Sequence, residues 1–210
     1  KGIHEQLLRG VGDARGRFAS PGQFRTVQNF IGSSGDTNIS AAIFVPPPPE
    51  LVVQLLTNWE SFANTEHDDV PDLIACALLH AQFETIHPFL DGNGRMGRLL
   101  ITLFLIMKDR LPSPLLYLSS YVESKKFEYY RLLQKTRTEG NWTDWIEFFL
   151  DGVDVTARTA LVQIKALSDY ELDVVRRLGE SGGRANRTAA DLMPFLVANP
   201  YVSIRTVRES

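Results

Sequence analysis

Apolar residues recur at helical spacing over much of the chain. Leu55, Trp59 and Phe62 follow each other at intervals of four and three residues, which predicts an amphipathic helix that begins near Leu51. Pro71 stands where a second helix should begin, directly before the apolar run DLIACALLHAQFETI. The pattern therefore predicts two consecutive helices in this part of the chain.

Three further segments have helical patterns. The segment RMGRLLITLFLIMKD is apolar almost all round, which a helix tolerates only when other helices surround it, so we expect a central helix there. Two more patterns follow, SKKFEYYRLLQKT and WTDWIEFFLDGVDVTARTALVQIKALSDYELDVV, and in the second Trp145, Phe148 and Phe149 mark a buried face. The predicted fold class is mainly α, a helical bundle around a central helix.

Two segments depart from this pattern. In QNFIGSSGDTNISAAIFVPPPPE, short β-branched and aromatic runs flank a Gly-Asp pair, which predicts a small β-hairpin at about residues 27–46. Near the end of the chain, the glycine-punctuated linker ESGGRANR precedes AADLMPFLVANP and SIRTVRES, which resemble the first helix and the start of the second in a winged helix-turn-helix, and we place this segment at 181–210. We expect a main domain at 1–180 and an incomplete winged-helix-like segment that belongs to a longer protein.

Composition and charge narrow the class of protein. Hydrophobic residues make up 44% and charged residues 22% of the chain, as in ordinary globular proteins. Lys and Arg number 22 against 25 Asp and Glu, and the net charge of −3 argues against a surface that coats nucleic acid. The one cysteine, Cys76, lies in an apolar run, and the sequence has neither a membrane-spanning stretch nor an export signal, so we expect a cytoplasmic protein.

Residues 87–98, HPFLDGNGRMGR, concentrate the residue types suited to catalysis. Pro88 cannot continue the preceding helix, and the apolar run restarts after Gly94, so a loop leads into the start of the central helix. Backbone N–H groups of Gly92, Asn93 and Gly94 would then point outward, and the positive end of the helix would add its dipole. This arrangement suits a pyrophosphate.

Four polar side chains accompany these N–H groups. Arg95 and Arg98 lie on one face of the first helical turn, where the helix dipole disfavours cations unless an anion joins them. Asp91 offers the hard oxygen that Mg²⁺ prefers, and His87, neutral at pH 7, can take a proton from a hydroxyl. Phe89 is more simply explained as a core anchor of the loop. The set predicts nucleotide phosphate chemistry.

Other motifs in the same region fit less well. The three glycines of residues 87–98 match the dinucleotide motif GxGxxG, but that motif must follow a strand and here a predicted helix precedes it. The phosphate-binding motif GxxxxGK[ST] does not occur in the sequence. His80, Glu84 and His87 share a spacing that could bring them to one helix face, but they are a weak zinc candidate because neither HExxH nor a cysteine ligand accompanies them.

A resemblance to a known family makes the prediction more specific. HPFLDGNGRMGR resembles the signature HPFx[DE]GNGRxxR of Fic proteins, which transfer the AMP moiety of ATP to a hydroxyl of a target protein, and it matches every fixed position. The resemblance extends from IHEQLLRG and PGQFRTVQNFIG through ISAAIFVPPPPELV to EYYRLLQ and NWTDWIEFFLDGV, covering most of residues 3–155. It implies a Fic-type bundle with the hairpin as a flap, and a protein adenylyltransferase that uses ATP and Mg²⁺.

The resemblance also implies residue roles. His87 would deprotonate the Ser, Thr or Tyr hydroxyl of the target, and Asp91 would hold Mg²⁺ on the α and β phosphates. Phe89 belongs to the same nucleotide-binding signature, and Tyr129 or Tyr130 resembles the family aromatic near the adenine, with packing on the helix face as the alternative. The anion hole and the contacts to the β and γ phosphates would come from Gly92, Asn93, Gly94, Arg95 and Arg98. The flap tip would align a segment of the target by strand addition, through Ile39, Ser40, Ala41, Ala42 and Ile43.

One feature of many Fic proteins does not occur in this sequence. They carry an inhibitory helix, [ST]xxxE[GN], whose Glu pairs with the second arginine of the signature. The stretch from Ser119 to Glu123 has this spacing, but Ser124 follows instead of Gly or Asn. We expect the helix to precede Lys1 in the longer protein, in which case Arg98 lacks its restraining partner here.

Several alternatives stay open from the sequence. The Fic body could sense nucleotide in a transcription regulator whose complete C-terminal domain binds DNA. Transfer of phosphocholine or UMP, or removal of AMP, is also compatible with a motif that fixes only phosphates, whereas Gly94 argues against phosphotransferase relatives, which have Lys there. The expected partners are a target protein, the chain's own hydroxyls, a second copy in a homodimer and, through a complete C-terminal domain, DNA; no membrane partner is expected.

Overall fold

The computed structural model of the chain describes residues 2–9, 20–32, 38–67, 69–199, 201–203 and 205–206. Helices dominate these residues, which confirms the mainly α class. They are α1 (Gly2–Leu8), α2 (Val52–Asn64), α3 (Asp72–Ile86), α4 (Asn93–Met107), α5 (Ser119–Ser124), α6 (Lys126–Thr138), α7 (Trp142–Ser181) and α8 (Arg184–Ala198).

Helices α3 and α4 form the centre of the bundle. They pack against each other, α2 packs on α3, and α1 packs on α4. Two tryptophans fasten the outer helices to α3, because Trp59 Nε1 donates to the Leu79 carbonyl at 2.8 Å and Trp145 Nε1 donates to the Ala77 carbonyl at 3.0 Å. The sequence predicts one central helix, at α4, whereas the structure places both α3 and α4 at the centre. Residues 87–92 form the loop that joins these two helices.

Compact packing divides the chain into two units, Lys1–Thr156 and Ala157–Ser210. This division falls inside α7 and lies earlier than the 180/181 boundary expected from the sequence. The residues of α7 that are buried lie near its start: Trp145, Phe148, Phe149 and Gly152. The helical pattern therefore continues beyond the part of α7 that packs into the first unit.

The segment predicted as a β-hairpin closes with one antiparallel bridge between Ile31 and Phe44. The N–H of Ile31 donates to the Phe44 carbonyl at 2.8 Å, and the N–H of Phe44 donates back at 3.1 Å. Asn38 caps a short 3₁₀ helix, Ile39–Ala41, which takes most of the predicted tip out of strand geometry. The residues described here contain no longer ladder, and the predicted turn lies in 33–37, outside the described residues.

In the second unit, the predicted linker is a two-glycine turn. Helix α7 ends at Ser181, Gly182 and Gly183 adopt positive φ angles of 65° and 90°, and α8 follows at once. Residues 200, 204 and 207–210 lie outside the described residues, so the winged-helix resemblance stays a prediction. Among the described residues, no helix is both long enough and apolar enough to cross a membrane.

Candidate active site

The site begins where α3 ends, at a strained backbone position. His87 follows Ile86 with a φ of 48°, in the left-handed region that non-glycine residues rarely adopt, and its N–H donates to the Phe83 carbonyl at 3.0 Å. The His87 carbonyl accepts a hydrogen bond from Nε of the buried Arg25 at 2.9 Å. Arg25 also donates to the carbonyls of Ile86 and Pro47, so one side chain ties this turn to the base of the flap.

The imidazole of His87 is arranged to accept a proton. Its Nδ1 lies 3.4 Å from the Glu84 carbonyl, which can only accept, so Nδ1 carries the ring proton and Nε2 keeps a free lone pair. Burial lowers the pKa of His87 to about 4, so the ring is neutral at pH 7. The side chain is still 18% exposed. A neutral, oriented and accessible imidazole suits a general base.

Asn93 and Phe89 brace the loop from inside. The buried Asn93 side chain accepts from the Phe89 N–H at 2.9 Å and donates to the Phe89 carbonyl at 2.7 Å. Asn29 donates to that same carbonyl at 3.1 Å, and the Phe89 ring stacks on His4 with 3.7 Å between the ring centroids. Phe89 is therefore the core anchor that the sequence suggested, and the Asn93 side chain holds the loop rather than facing its open side.

His4 supports the loop from 87 residues away in sequence. Its Nδ1 accepts the Gly22 N–H at 2.9 Å, so its Nε2 carries the proton and donates to the Asp91 carbonyl at 2.9 Å. Sequence reasoning did not single out His4, because a lone histidine in a short helix gives no local signal of so distant a contact.

The start of α4 is the part of the site for which the sequence predicts anion binding. Gly92 precedes the helix with a φ of 81°, and its N–H donates to Oδ1 of Asp91 at 2.7 Å, so this N–H is engaged within the loop. Asn93, Gly94 and Arg95 are the first three helical residues, and N–H groups in the first turn have no acceptor within the helix. The Gly92 N–H of the predicted nest is thus occupied by Asp91, and the N–H groups left for an anion are those of Asn93, Gly94 and Arg95.

Two guanidinium groups flank these N–H groups. Nη2 of Arg95 lies 3.5 Å from Oδ2 of Asp91. Nε of Arg98 donates to Oγ of Ser119 at 3.1 Å, and Nη1 of Arg98 would lie 3.3 Å from a Cβ placed on Gly94. Both predicted phosphate ligands therefore lie at the positive end of α4, where the Asp91 carboxylate offsets part of the positive charge and a bound anion would offset more of it.

Asp91 is the single carboxylate of residues 87–98, and its side chain is 42% exposed. One hard carboxylate fits Mg²⁺, because phosphate oxygens and water can complete its octahedral shell. The weak zinc candidate is wrong, because no group of three potential ligand side chains capable of holding a metal occurs among the described residues. His80 instead uses Nε2 in a 2.9 Å hydrogen bond with the Tyr129 hydroxyl.

The two predicted adenine contacts differ in accessibility. Tyr129 is 2% exposed and packs in the core, whereas Tyr130 is 51% exposed. Packing therefore explains Tyr129, and Tyr130 is the one whose ring a ligand could reach. At the flap, Ile39 and Ile43 are both exposed, which leaves apolar side chains at the predicted target-binding tip.

Arg137, which the sequence did not single out, joins the flap to α3. Its guanidinium carbon lies 3.8 Å from the centre of the Phe44 ring, and it donates to Oγ1 of Thr85 at 3.0 Å and to the Glu84 carbonyl at 3.1 Å. Burial lowers its pKa to about 10, so the group still carries its charge at pH 7. Arg137 places a partly buried positive charge beside the turn that carries His87.

Gly97 packs where no side chain fits. A Cβ there would lie 2.6 Å from Oε1 of Glu84 and 3.1 Å from Cε1 of His80. We expect Gly97→Ala to lower the free energy of unfolding by about 1–3 kcal/mol, because two buried side chains must shift. The control is Gly179→Ala in α7, where a Cβ meets nothing within 4 Å and should stabilise the helix by about 0.5–1 kcal/mol. Urea unfolding measures both, and equal stabilities would contradict the close packing at Gly97.

Comparison with known proteins decides the family. The model of the Fic/DOC family matches residues 1–105, half of the chain, including the whole loop and most of α4. The chain belongs to the Fic/DOC family. This confirms the family that the loop signature indicated.

Curated relatives of this Fic protein are much longer than the chain. The protein adenylyltransferase Fic of Drosophila yakuba is 29% identical over 87% of this chain and 32% of its own length. The protein of the same name from Drosophila melanogaster is 29% identical over 87% of this chain and 33% of its own length. The chain thus spans about a third of the length of these relatives.

Solved structures share the fold. A Fic family protein from Desulfovibrio desulfuricans G20 has a TM-score of 0.61 at 27% identity, covering 94% of this chain and 58% of its own. Fic-1 of C. elegans has a TM-score of 0.56 at 21% identity, covering 79% of this chain and 42% of its own, which supports the fold alone. The helical architecture described above is therefore a Fic fold.

Proposed function

We propose that this Fic protein is an adenylyltransferase that moves AMP from ATP to a Ser, Thr or Tyr hydroxyl of a target protein. The observation that carries the proposal is a neutral His87 with its Nε2 lone pair free, set beside the N-terminus of α4 and its two arginines. A base next to an anion site is what attack of a hydroxyl on a phosphate requires. The name protein adenylyltransferase, carried by relatives such as that of Drosophila yakuba, supports AMP as the transferred group.

The reaction is an in-line displacement at the α-phosphorus. The hydroxyl oxygen of the target attacks while Nε2 of His87 takes its proton, and the bond from the α-phosphorus to the bridging oxygen breaks to release pyrophosphate. The charge that develops on the phosphate oxygens is stabilised by the N–H groups at the start of α4 and by Arg95 and Arg98. Positioning and charge neutralisation supply most of the catalysis.

Asp91 would hold Mg²⁺, which neutralises phosphate charge when bound. In the described arrangement Asp91 accepts from the Gly92 N–H and faces Arg95, so its half-exposed carboxylate already lies next to the anion site.

We further propose that the exposed flap residues, Ile39 to Ile43, contact the target protein. The apolar side chains of Ile39 and Ile43 are exposed, and the Ile31–Phe44 bridge together with Arg25 fixes the base of the segment near His87. A cytoplasmic target is expected, with the chain's own hydroxyls and a second copy as further acceptors.

Labelled nucleotides test the reaction. The protein with Mg²⁺ and a cell lysate should become labelled, or label a target, from ATP that carries the label on its α phosphate, and not from ATP labelled on its γ phosphate. Label from the γ phosphate would indicate phosphotransfer instead. Faster labelling from α-labelled UTP than from ATP would overturn AMP as the group transferred, and ATP binding without any label would favour a nucleotide sensor.

A further inference from the structure

A buried carboxyl that the proposed reaction does not use lies directly behind His87. Glu84 sits three residues before His87 on α3, is buried, and points Oε2 to within 3.9 Å of Nδ1 of His87. Its other oxygen, Oε1, has no hydrogen-bond partner within the described structure. A carboxyl buried with an unsatisfied oxygen costs stability, so its presence beside a base calls for a reason.

The surroundings of Glu84 have opposing effects on the ionisation of its carboxyl. Gly97 leaves the space that Oε1 occupies, since a Cβ there would come within 2.6 Å of that atom. Cations on α4 and α6 favour the ionised carboxyl, whereas burial disfavours it. The titratable and charged groups facing Glu84 are His80 on α3, His87 directly after it, Arg98 on α4, and Tyr129 and Arg137 on α6.

We propose that Glu84 is a positioning residue for AMP transfer, whose carboxylate faces Nδ1 of His87 and stabilises the imidazolium formed when Nε2 takes the proton of the target. This inference rests on the proposed function. The proton moves from the target hydroxyl to Nε2 and later passes to solvent, the Nδ1 proton stays in place, and Glu84 itself exchanges none. The carboxylate thus acts through His87, as the third member of a hydroxyl, imidazole and carboxylate series.

If Glu84 has this role, its titration should appear in the pH dependence of the reaction. Burial raises the pKa of Glu84 to about 7 and lowers that of His87 to about 4. Below about pH 7, Glu84 is therefore protonated and cannot stabilise the imidazolium, while His87 is already neutral. As the pH rises through about 7, the carboxylate forms and the basicity of His87 increases. The rate should rise over that interval because of Glu84.

NMR on the full chain with ¹³C-labelled histidine tests the pair without relying on activity. The His87 signal, identified by its absence in His87→Ala, is followed between about pH 5 and about pH 9. We expect an inflection near 7 in the wild type that disappears in Glu84→Gln and persists in the control Glu60→Gln, which removes an exposed carboxylate from α2. An unchanged inflection in Glu84→Gln would overturn the inference.

Kinetics provide the second readout. At about pH 8, kcat for AMP transfer should fall at least about tenfold in Glu84→Gln, with the KM for ATP little changed and the rise through neutral pH lost. Glu84→Asp keeps the carboxylate and should recover both the rise and part of the rate, which a purely structural role would not produce. Absence of AMP transfer by the wild type would defeat the proposed function alone, because the NMR titration would still decide whether Glu84 and His87 are coupled.

Discussion

Replacing His87 with alanine should reduce the rate of AMP transfer by about 10²–10⁴-fold, the range expected for loss of a general base. No other histidine can substitute, because His4 and His80 are buried and engaged in hydrogen bonds and His67 bonds to the Phe62 carbonyl. Binding of ATP should persist, since the N–H groups and arginines at the start of α4 stay in place. Single-turnover labelling from α-labelled ATP measures the rate, and calorimetry measures binding.

The matched control is His67→Ala, which removes a histidine that packs against Phe62 away from the loop. It should transfer AMP at the wild-type rate. If His87→Ala retained more than about a tenth of the wild-type rate while binding ATP normally, His87 would not be the base. Loss of ATP binding together with activity would instead show that the variant disturbs the loop, whose backbone turns at this residue.

The loop between α3 and α4 could be predicted because its signals are local. Pro71 and Pro88 bracket α3, the apolar pattern resumes in α4, and every proposed phosphate ligand lies within residues 87–98. A contiguous segment carries its own geometry in its glycines and prolines. For the same reason the sequence could locate the start of α4 to within a residue, but it could not show that Asp91 accepts a hydrogen bond from the Gly92 N–H.

The supporting residues could not be predicted, since their contacts span long stretches of sequence. Arg25 reaches a carbonyl 62 positions away, and Arg137 reaches one 53 positions away. Neither arginine belongs to a motif with a fixed spacing, so only the packing of α3 against its neighbours reveals them. The spacing of Glu84 suggests a helix face shared with two histidines, but spacing cannot show that its carboxyl is buried behind His87.

The boundary between the two compact units also depends on packing, which the hydrophobic pattern of the sequence does not show. Helical periodicity continues through α7 to Ser181, and nothing in it marks the point where the helix stops contributing to the first unit. The first unit ends at Thr156, shortly after the large buried aromatic residues near the start of α7. In the flap, a local contact overrides the residue pattern. The β-branched residues predict strands, but the Asn38 side chain caps a 3₁₀ helix and the strand pairing stays short.

The largest loss of stability is expected from replacing Trp145, the fully buried aromatic residue that anchors α7. Trp145 is 0% exposed, lies 6.0 Å from the ring of His80 and donates its Nε1–H to the Ala77 carbonyl. Trp145→Ala would open a cavity beneath α3 and leave that carbonyl without this donor. We expect the free energy of unfolding to fall by about 3–5 kcal/mol, a large share of the 5–15 kcal/mol typical of a domain. Urea unfolding followed by far-UV circular dichroism measures it.

Trp142, three residues earlier on the same helix, is the control for this effect. It is 37% exposed, so Trp142→Ala removes the same side chain but should cost no more than about 1 kcal/mol. Equal losses at the two positions would mean that α7 does not dock on α3 through Trp145. Because Trp145 also packs beside His80 and Tyr129, its loss should loosen the wall behind Glu84, and AMP transfer should then decline at temperatures where the chain is still folded.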